Sequence, residues 1–315
     1  MRRRCMSRRS CLKRYLIIYY NIILKIKKMR KILSILAVSF FMMGMTACDV
    51  IDEQDYIKNN GGTTPPEKPV DPGLPGETGD FTTSKCVLLE DYTGVRCNNC
   101  PAAGELALEL QKQYGHSVVV LGVHSGFLSN PVGGYPNFKT TEGDEWYNFF
   151  GFDSNPIGTV NRKLNGGVYG FPSTDWADAV AAALQEEATV GMASNVEYDE
   201  TSRNLKVDIS TKALVELPDT YSLTVCIMED SIVGKQLKPE GDDLNYVHRH
   251  VFRKTINGAW GEEINTTAIA PEDVITKSYA TTLDAAYNAD NCHIIAYVSN
   301  SNTKEVLQVI EKKIK

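Results

Sequence analysis

Short apolar runs on either side of a helical pattern organise residues 84–124. Residues 84–92 contain the apolar run CVLL, and residues 117–124 read SVVVLGVH. Continuous apolarity over so few residues is typical of strands buried on both faces of a parallel sheet. Between them, residues 101–114 predict a helix that begins at Pro101 and ends before Gly115, and the unit forms a right-handed crossover. The apolar positions of the helix are Ala102, Leu106, Leu110 and Tyr114.

Residues 126–153 interrupt this pattern with glycine, proline, asparagine and many aromatic side chains. A helix is predicted over residues 142–150, then two short strands over 155–162 and 166–169, and a last helix over 175–188. The element order of residues 81–190 is therefore βαβαββα. The aromatic side chains either line a partner-binding surface or form the core of an insertion. They are Phe127, Tyr135, Phe138, Trp146, Tyr147, Phe149 and Phe150.

After residue 190 the pattern changes to strict alternation. Residues 195–199 and 204–209 alternate apolar and polar side chains, which predicts half-buried strands. Turns rich in Asp, Gly, Asn and Pro separate five further strands, over residues 222–228, 247–255, 275–281, 293–299 and 306–310. Seven short strands of this kind predict an antiparallel β-sandwich of Ig-like type over residues 191–315. The predicted fold class is α/β followed by all-β.

The amino-terminal 80 residues predict an export signal followed by a tether. Residues 29–47 combine a basic start, an apolar stretch and small residues before Cys48, as secretory signal peptides do. The tetrapeptide MTAC resembles the bacterial lipobox, which implies cleavage before Cys48 and lipidation of that residue. An ordinary signal peptide or a short anchor is the alternative. Residues 1–47 are thus a signal region, and residues 48–80, rich in Pro and Gly, are a flexible tether.

Residues 1–28 place a second basic and apolar unit ahead of a complete signal peptide. We expect translation to begin at Met29, with a long leader or an extra membrane-associated segment as the alternative.

Charge is segregated along the chain, and this bears on its partners. Residues 1–47 contain 12 of the 33 Lys and Arg and none of the 39 Asp and Glu, so residues 48–315 carry a net charge of −18 at pH 7. Such an acidic mature chain argues against nucleic acid as a partner. The expected partners are protein thiols or disulfides, or other envelope proteins, with the membrane reached through a lipid on Cys48.

The chemistry centres on Cys97 and Cys100, a C-x-x-C between the first predicted strand and helix. This context is typical of a thiol–disulfide site, because a helix amino terminus stabilises a thiolate. Arg96 adds a positive charge beside Cys97, the expected nucleophile, and Cys100 is expected to be the more buried partner. A static structural disulfide and half of a zinc site are the alternatives.

The βαβαββα order with a C-x-x-C after the first strand resembles the thioredoxin fold. The resemblance implies that Pro156 forms a cis peptide bond and lies against the C-x-x-C. It also implies that Asp91, six residues before Cys97, is a buried acid that assists proton transfer. Arg96 stands where that family usually has Trp, and Asn155 precedes the proline, so the redox potential cannot be carried over. No cofactor is implied.

The remaining cysteines and histidines have modest predicted roles. His124 ends the second predicted strand and is a weak candidate metal ligand beside the two cysteines. His248 and His250 alternate along one predicted strand, either as paired ligands or on a hydrated sheet face. Buried free thiols are the default for Cys226 and Cys292, with a bridge between them as the alternative, and Cys86 is an inert core residue.

A second resemblance concerns the whole chain. The lipobox, CNNCP, the NP…NR segment at residues 155–162 and YVHRHVFR at residues 246–253 resemble a Bacteroidetes family. It is the family related to the twenty-eight-kilodalton outer membrane protein. This resemblance implies a lipoprotein anchored to the outer membrane, on its periplasmic or surface face. Two functions follow as hypotheses: a cell-envelope thiol–disulfide oxidoreductase acting on protein cysteines, or a non-catalytic binding or assembly lipoprotein.

Overall fold

The computed structural model describes residues 80–315. The predicted signal region, Met29, Cys48 and the tether up to residue 79 lie outside the described residues. Within residues 80–315, none of the helices has the length and apolar character needed to span a membrane.

Three α-helices and thirteen β-strands make up the described chain. The helices are α1 (Cys100–Tyr114), α2 (Thr141–Phe149) and α3 (Trp176–Ala183). The strands are β1 (Val87–Thr93), β2 (Val118–His124), β3 (Ile157–Val160), β4 (Val190–Tyr198), β5 (Asn204–Ala213), β6 (Tyr221–Glu229), β7 (Ile232–Lys238), β8 (Gly241–His248), β9 (Val251–Thr255), β10 (Glu262–Glu263), β11 (Val274–Thr282), β12 (Cys292–Asn300) and β13 (Val306–Lys313). The fold is mixed α/β, with several sheets and few helices.

The largest sheet has the order β13-β12-β6-β9-β2-β1-β3, with β10 paired to β6. Strand β1 is parallel to β2 and antiparallel to β3. Strand β2 meets β9 at a single parallel position, where Gly122 lies opposite Val251. The Gly122 amide donates to the His250 carbonyl at 2.7 Å, and a Cβ at Gly122 would come within 3.2 Å of that oxygen. This close approach lets one sheet run through both predicted domains.

Helices cover the β1–β2–β3 end of the sheet on its two faces. Helices α1 and α3 pack on one face, and Trp146 of α2 lies in the apolar cluster on the other. The buried stripe of α1 consists of Ala103, Ala107 and Leu110, one position away from the stripe predicted at its start. Ala102 faces solvent instead. Small side chains in this stripe allow α1 to lie close to the sheet.

The second half of the chain forms layers that share strands with the first. A three-stranded sheet of order β11-β5-β4 packs its apolar side chains against one face of β6 and β12. The opposite face of β6 and β12 packs against aromatic side chains of the first half. All nine residues of β6 are buried because both of its faces are covered.

Three predicted elements differ from the structure, and one hairpin was missed. Residues 247–255 form the end of β8 and all of β9, because His250 adopts a left-handed φ of 53° that ends the extended run. The β7–β8 hairpin was not predicted. The predicted strand over 166–169 is a turn in which Asn165 and Val168 form an isolated bridge. The last predicted helix is shortened to α3.

A buried ion pair holds β1 to the segment that follows β3. Arg162 donates to both oxygens of Glu90, at 2.6 and 2.9 Å, and the Thr159 hydroxyl donates to Glu90 at 2.7 Å. Both charged side chains are at most 1% exposed. The Arg162 guanidinium also lies within 6 Å of the ring centres of Trp146, Phe150, Trp260 and Tyr297. The pair is therefore enclosed, and both carboxylate oxygens of Glu90 are hydrogen-bonded.

Candidate functional site

Cys97 and Cys100 are joined by a disulfide at the amino end of α1. Their Cα atoms are 5.4 Å apart, Cys100 is the first residue of the helix, and Pro101 follows in the first turn. Cys97 lies in the preceding turn, where its amide donates to the Gly94 carbonyl at 3.0 Å. The two cysteines are 2% and 3% exposed. The two residues are therefore buried to the same extent, and the expected difference, with Cys100 the more buried, is not seen.

Asn155 and Pro156 lie beside this disulfide and are joined by a cis peptide bond. The carbonyl oxygen of Asn155 is 3.5 Å from the Cys97 sulfur, and its side-chain amide donates to the Thr93 carbonyl at 3.2 Å. Since β3 begins at Ile157 and pairs with β1, the sheet positions this segment against the cysteine loop.

Arg96 makes its contacts with Phe127 in the segment after β2. Its guanidinium donates to the Phe127 carbonyl at 2.6 Å and lies 4.8 Å from the centre of that ring. Phe127 itself is 73% exposed. Arg96 is therefore next to Cys97 in sequence, and its charge is held at the surface by a neighbouring loop.

Asp91 lies in the middle of β1, on the face covered by α1. Gly122 and Gly158 are its partners on the two neighbouring strands. Its Oδ1 is buried and has no hydrogen-bond partner in the described part of the chain. Burial raises the pKa of Asp91 from 3.8 to about 7, with no charged neighbour to offset it. The carboxyl therefore exchanges a proton near neutral pH.

A cavity of about 40 Å³ connects Asp91 with the disulfide. Cys100, Asp91, His124, Tyr246 and His248 line it. Within residues 80–315, His124 Nδ1 and His248 Nε2 are also buried without a hydrogen-bond partner. A cavity of this size with polar walls has room for water, which such atoms require. The buried carboxyl, Cys100 and two imidazoles thus share one small cavity.

The imidazoles of His124, at the end of β2, and His248, at the end of β8, are packed together. The ring centres of His124 and His248 are 5.8 Å apart, and the Phe138 ring lies 4.9 Å from each. Burial lowers the pKa of His248 to about 4, and burial, followed by the neighbouring His248 and Arg253, lowers the pKa of His124 well below its usual value. Both rings are neutral at neutral pH.

The metal-site alternatives find no support in this geometry. Residues 80–315 contain no group of three or more His, Cys, Asp or Glu side chains placed to hold a metal ion. His248 and His250 are 3% and 5% exposed and do not share one strand face, so the hydrated-face prediction is wrong. Instead, His250 Nε2 lies 2.8 Å from Gln111 Oε1 on α1.

The β7–β8 hairpin supplies site residues that the sequence analysis missed. The Gln236 side-chain amide donates to the carbonyls of Cys97 and Gly94, at 3.0 and 3.2 Å, and the Leu237 amide donates to the Val95 carbonyl at 2.9 Å. Lys238 and Gly241 close the hairpin, so the two-residue Pro-Glu turn between them, followed by a glycine, was the available signal. Local sequence patterns do not predict this contact, because Gln236 lies 139 residues after Cys97.

The other cysteines of residues 80–315 are buried free thiols. Cys226 lies opposite Ile295 and Cys292 lies opposite Glu229, so the two cysteines are three residues apart in register and face opposite sides of the sheet. The alternative of a bridge between them is therefore wrong, and the default of free thiols is confirmed. Burial raises the pKa of Cys86 to about 11, as expected for an inert core residue.

Most of the aromatic side chains after β2 belong to the core. Trp146 is fully buried, and Tyr147 and Phe150 are nearly so. They pack with Tyr92 between α2 and the sheet. Phe127 and Phe149 are the two that are largely exposed, so the core interpretation holds for most of the segment.

Comparison with known proteins identifies the family. The family model described as Outer membrane protein Omp28 matches residues 143–315, more than half of the chain. The chain belongs to the Omp28 family. The resemblance seen in the sequence is thereby confirmed, and the protein is associated with the outer membrane in the cell envelope, as predicted. The match begins after Cys97, Cys100 and Asp91, so membership in the Omp28 family does not itself describe the disulfide site.

Solved structures are similar to this chain at low sequence identity. HBP35 of Porphyromonas gingivalis is 16% identical, with a TM-score of 0.57 over 75% of this chain and 77% of its own. A protein of Agrobacterium tumefaciens is 12% identical, with a TM-score of 0.46 over 74% of this chain and 96% of its own. A domain of the outer membrane lipoprotein Omp28 from P. gingivalis is 22% identical, with a TM-score of 0.29 over 41% and 89%. No curated protein matches the chain.

Proposed function

We propose that this member of the Omp28 family is a cell-envelope thiol–disulfide oxidoreductase that acts on protein cysteines. The proposal includes a thioredoxin-like unit formed by β1, α1, β2 and β3. It is supported by the parallel β1–β2 pair, the disulfide at the start of α1 and the cis proline that precedes the antiparallel β3. The sheet β11-β5-β4, packed on β6 and β12, supports an Ig-like sandwich for the rest of the chain.

The observation that carries this proposal is the unpaired carboxyl of Asp91. A buried carboxyl without a partner destabilises a fold, so a purely structural disulfide gives no reason for one beside it. A thiol exchange site does, because the resolving cysteine must lose its proton before it attacks. Asp91 and Cys100 line the same cavity, and a pKa of about 7 suits a group that takes and returns a proton.

The reaction balances with the residues present. In the reduced protein, the Cys97 thiolate attacks a partner disulfide, forms a mixed disulfide and releases one partner thiolate. Ionised Asp91 takes the proton of the Cys100 thiol, and the resulting thiolate attacks the Cys97 sulfur. The Cys97–Cys100 disulfide forms, the second partner thiolate leaves, and the partner has gained two electrons. Arg96 stabilises the Cys97 thiolate, and Pro156 shapes the surface that receives the partner.

A second function is favoured by one observation, the burial of both cysteine residues. Cys97 and Cys100 are only 2% and 3% exposed, and Gln236 holds the Cys97 carbonyl from the hairpin. In this alternative, the disulfide is a static staple, and the protein is a binding or assembly lipoprotein that uses the fold as a scaffold.

Trapping in cells separates the two functions. With the Cys100→Ser variant, mixed disulfides between Cys97 and envelope proteins should accumulate and disappear on treatment with dithiothreitol. The Cys97→Ser/Cys100→Ser variant is the matched control, because it keeps every other cysteine. Equal patterns from the two variants under oxidising growth would favour the scaffold function.

The membrane attachment is part of the same proposal. Cleavage before Cys48 and its lipidation would hold the acidic mature chain at the outer membrane without a spanning helix. A Cys48→Ser variant should leave the membrane fraction, and its retention there would contradict lipid anchoring at this residue.

A further inference from the structure

The proposed reaction uses Asp91 and leaves two buried imidazoles in the same cavity without a role. His124 comes from β2 and His248 from the hairpin, so the two halves of the chain each contribute one. A role in packing alone does not account for them. Their rings pack against Phe138, which a phenyl ring would do equally well, whereas a buried nitrogen without a hydrogen-bond partner destabilises the fold.

We propose that His124 and His248, together with water in the cavity, carry the proton that Asp91 takes from Cys100 to and from solvent. The inference rests on the proposed function. His124 and His248 are positioning residues in this scheme, because they act on Cys100 only through Asp91 and water.

The geometry provides both ends of such a path. At its inner end, Asp91 and Cys100 line the cavity, and the unpartnered atoms Asp91 Oδ1, His124 Nδ1 and His248 Nε2 are available to water. Glu105 of α1 and Arg249 after β8 also line the cavity and are exposed, so the path reaches the surface. Tyr246 and His250 complete the titratable groups around it.

The proton balance is simple. The Cys100 thiol and the Asp91 carboxylate become a thiolate and a carboxylic acid. The acid then passes its proton to water, and each neutral imidazole accepts a proton on one nitrogen and releases the proton of the other. The Asp91 carboxylate is regenerated, one proton reaches solvent, and no group is oxidised or reduced in this step.

A chromogenic aromatic disulfide tests the path in the full-length reduced protein. Attack by Cys97 releases one coloured thiolate, and resolution by Cys100 releases a second, so stopped-flow absorbance separates the two steps. The Cys97→Ser/Cys100→Ser variant subtracts the reaction of the other cysteines. We expect His248→Phe, which keeps a packed ring, to leave the first release unchanged and to slow the second about tenfold.

Two further variants exclude a purely structural effect. His124→Phe should slow the second release to a similar extent. His248→Ala opens space, and added imidazole should restore its second release. His293→Gln, at a histidine paired with Glu311 and outside the cavity, should react as the wild type does. If His248→Phe does not fold, His124→Phe and imidazole rescue still decide the question.

The outcomes distinguish this inference from the function on which it rests. Asp91→Asn should slow the second release about a hundredfold. If Asp91→Asn slows it and neither histidine variant does, or if imidazole restores nothing, the histidine path is wrong and the oxidoreductase stands. If Asp91→Asn resolves at the wild-type rate, the role of Asp91 in the proposed function fails as well.

Discussion

Glu90 and Asp91 are consecutive buried carboxyls on opposite faces of β1, and they differ in their hydrogen-bond partners. Both oxygens of Glu90 accept hydrogen bonds from Arg162, with Thr159 as a third donor. Asp91 has an oxygen with no partner in the described chain and borders a cavity. A buried carboxyl is therefore not by itself a sign of function. The absence of a charge partner distinguishes the one that can exchange a proton.

The largest expected effect is a loss of stability when the Glu90–Arg162 pair is broken. Glu90→Gln leaves the Arg162 charge buried without compensation, and we expect it to lower the free energy of unfolding by about 3–5 kcal/mol. Urea denaturation measures this. Glu272→Gln, which removes the same charge from the surface Lys212–Glu272 pair, is the control and should cost less than about 1 kcal/mol. Equal losses in the two variants would mean that enclosure adds nothing to the Glu90 pair.

The second largest effect is a gain in stability that depends on pH and is expected on replacing Asp91. The folded chain keeps the Asp91 proton up to a pKa of about 7, whereas the unfolded chain loses it near 3.8. The wild type is therefore destabilised progressively as the pH rises through this window. We expect Asp91→Asn to be more stable than the wild type by about 2–4 kcal/mol near pH 8 and equal to it near pH 4.

Thermal and urea unfolding at several pH values check this prediction. A gain that is the same at both ends of the window would mean that the amide improves packing and that ionisation of Asp91 is not the cause.

The smallest effect concerns Arg96, whose surroundings differ from those of Arg162. Arg162 is enclosed by Glu90 and aromatic rings, while Arg96 stacks on the exposed Phe127. We expect Arg96→Ala to raise the pKa of the Cys97 thiol in the reduced protein by about half a unit, the size of an exposed charge interaction. The pH dependence of alkylation measures it, and Arg96→Lys, which keeps the charge, should retain the wild-type profile. An unchanged profile in Arg96→Ala would remove Arg96 from the site.

Local sequence patterns predicted the elements that can be recognised without knowing their neighbours. The apolar runs before Cys97 and before His124 form parallel strands, and the helix between them starts and ends within one residue of its prediction. Such patterns work because burial on both faces and helix-end chemistry are properties of a short segment. The prediction of a single strand over residues 247–255 is wrong because an apolar pattern does not reveal that one residue, His250, adopts a left-handed conformation.

Patterns within short segments were enough to predict the export signals, the family resemblance, the C-x-x-C between strand and helix, and Asp91 and Pro156 as its companions. What surrounds these residues depends on the tertiary structure. The pairing of Gly122 with Val251 joins the two halves in one sheet, and the β7–β8 hairpin brings Gln236 and His248 to the disulfide. These contacts depend on strand order and register across more than a hundred residues, and pattern within a segment carries no information about them. The difference between Glu90 and Asp91 likewise depends on tertiary structure. The two residues are adjacent acids in the sequence, and only the residues packed on each face of β1 give them different roles.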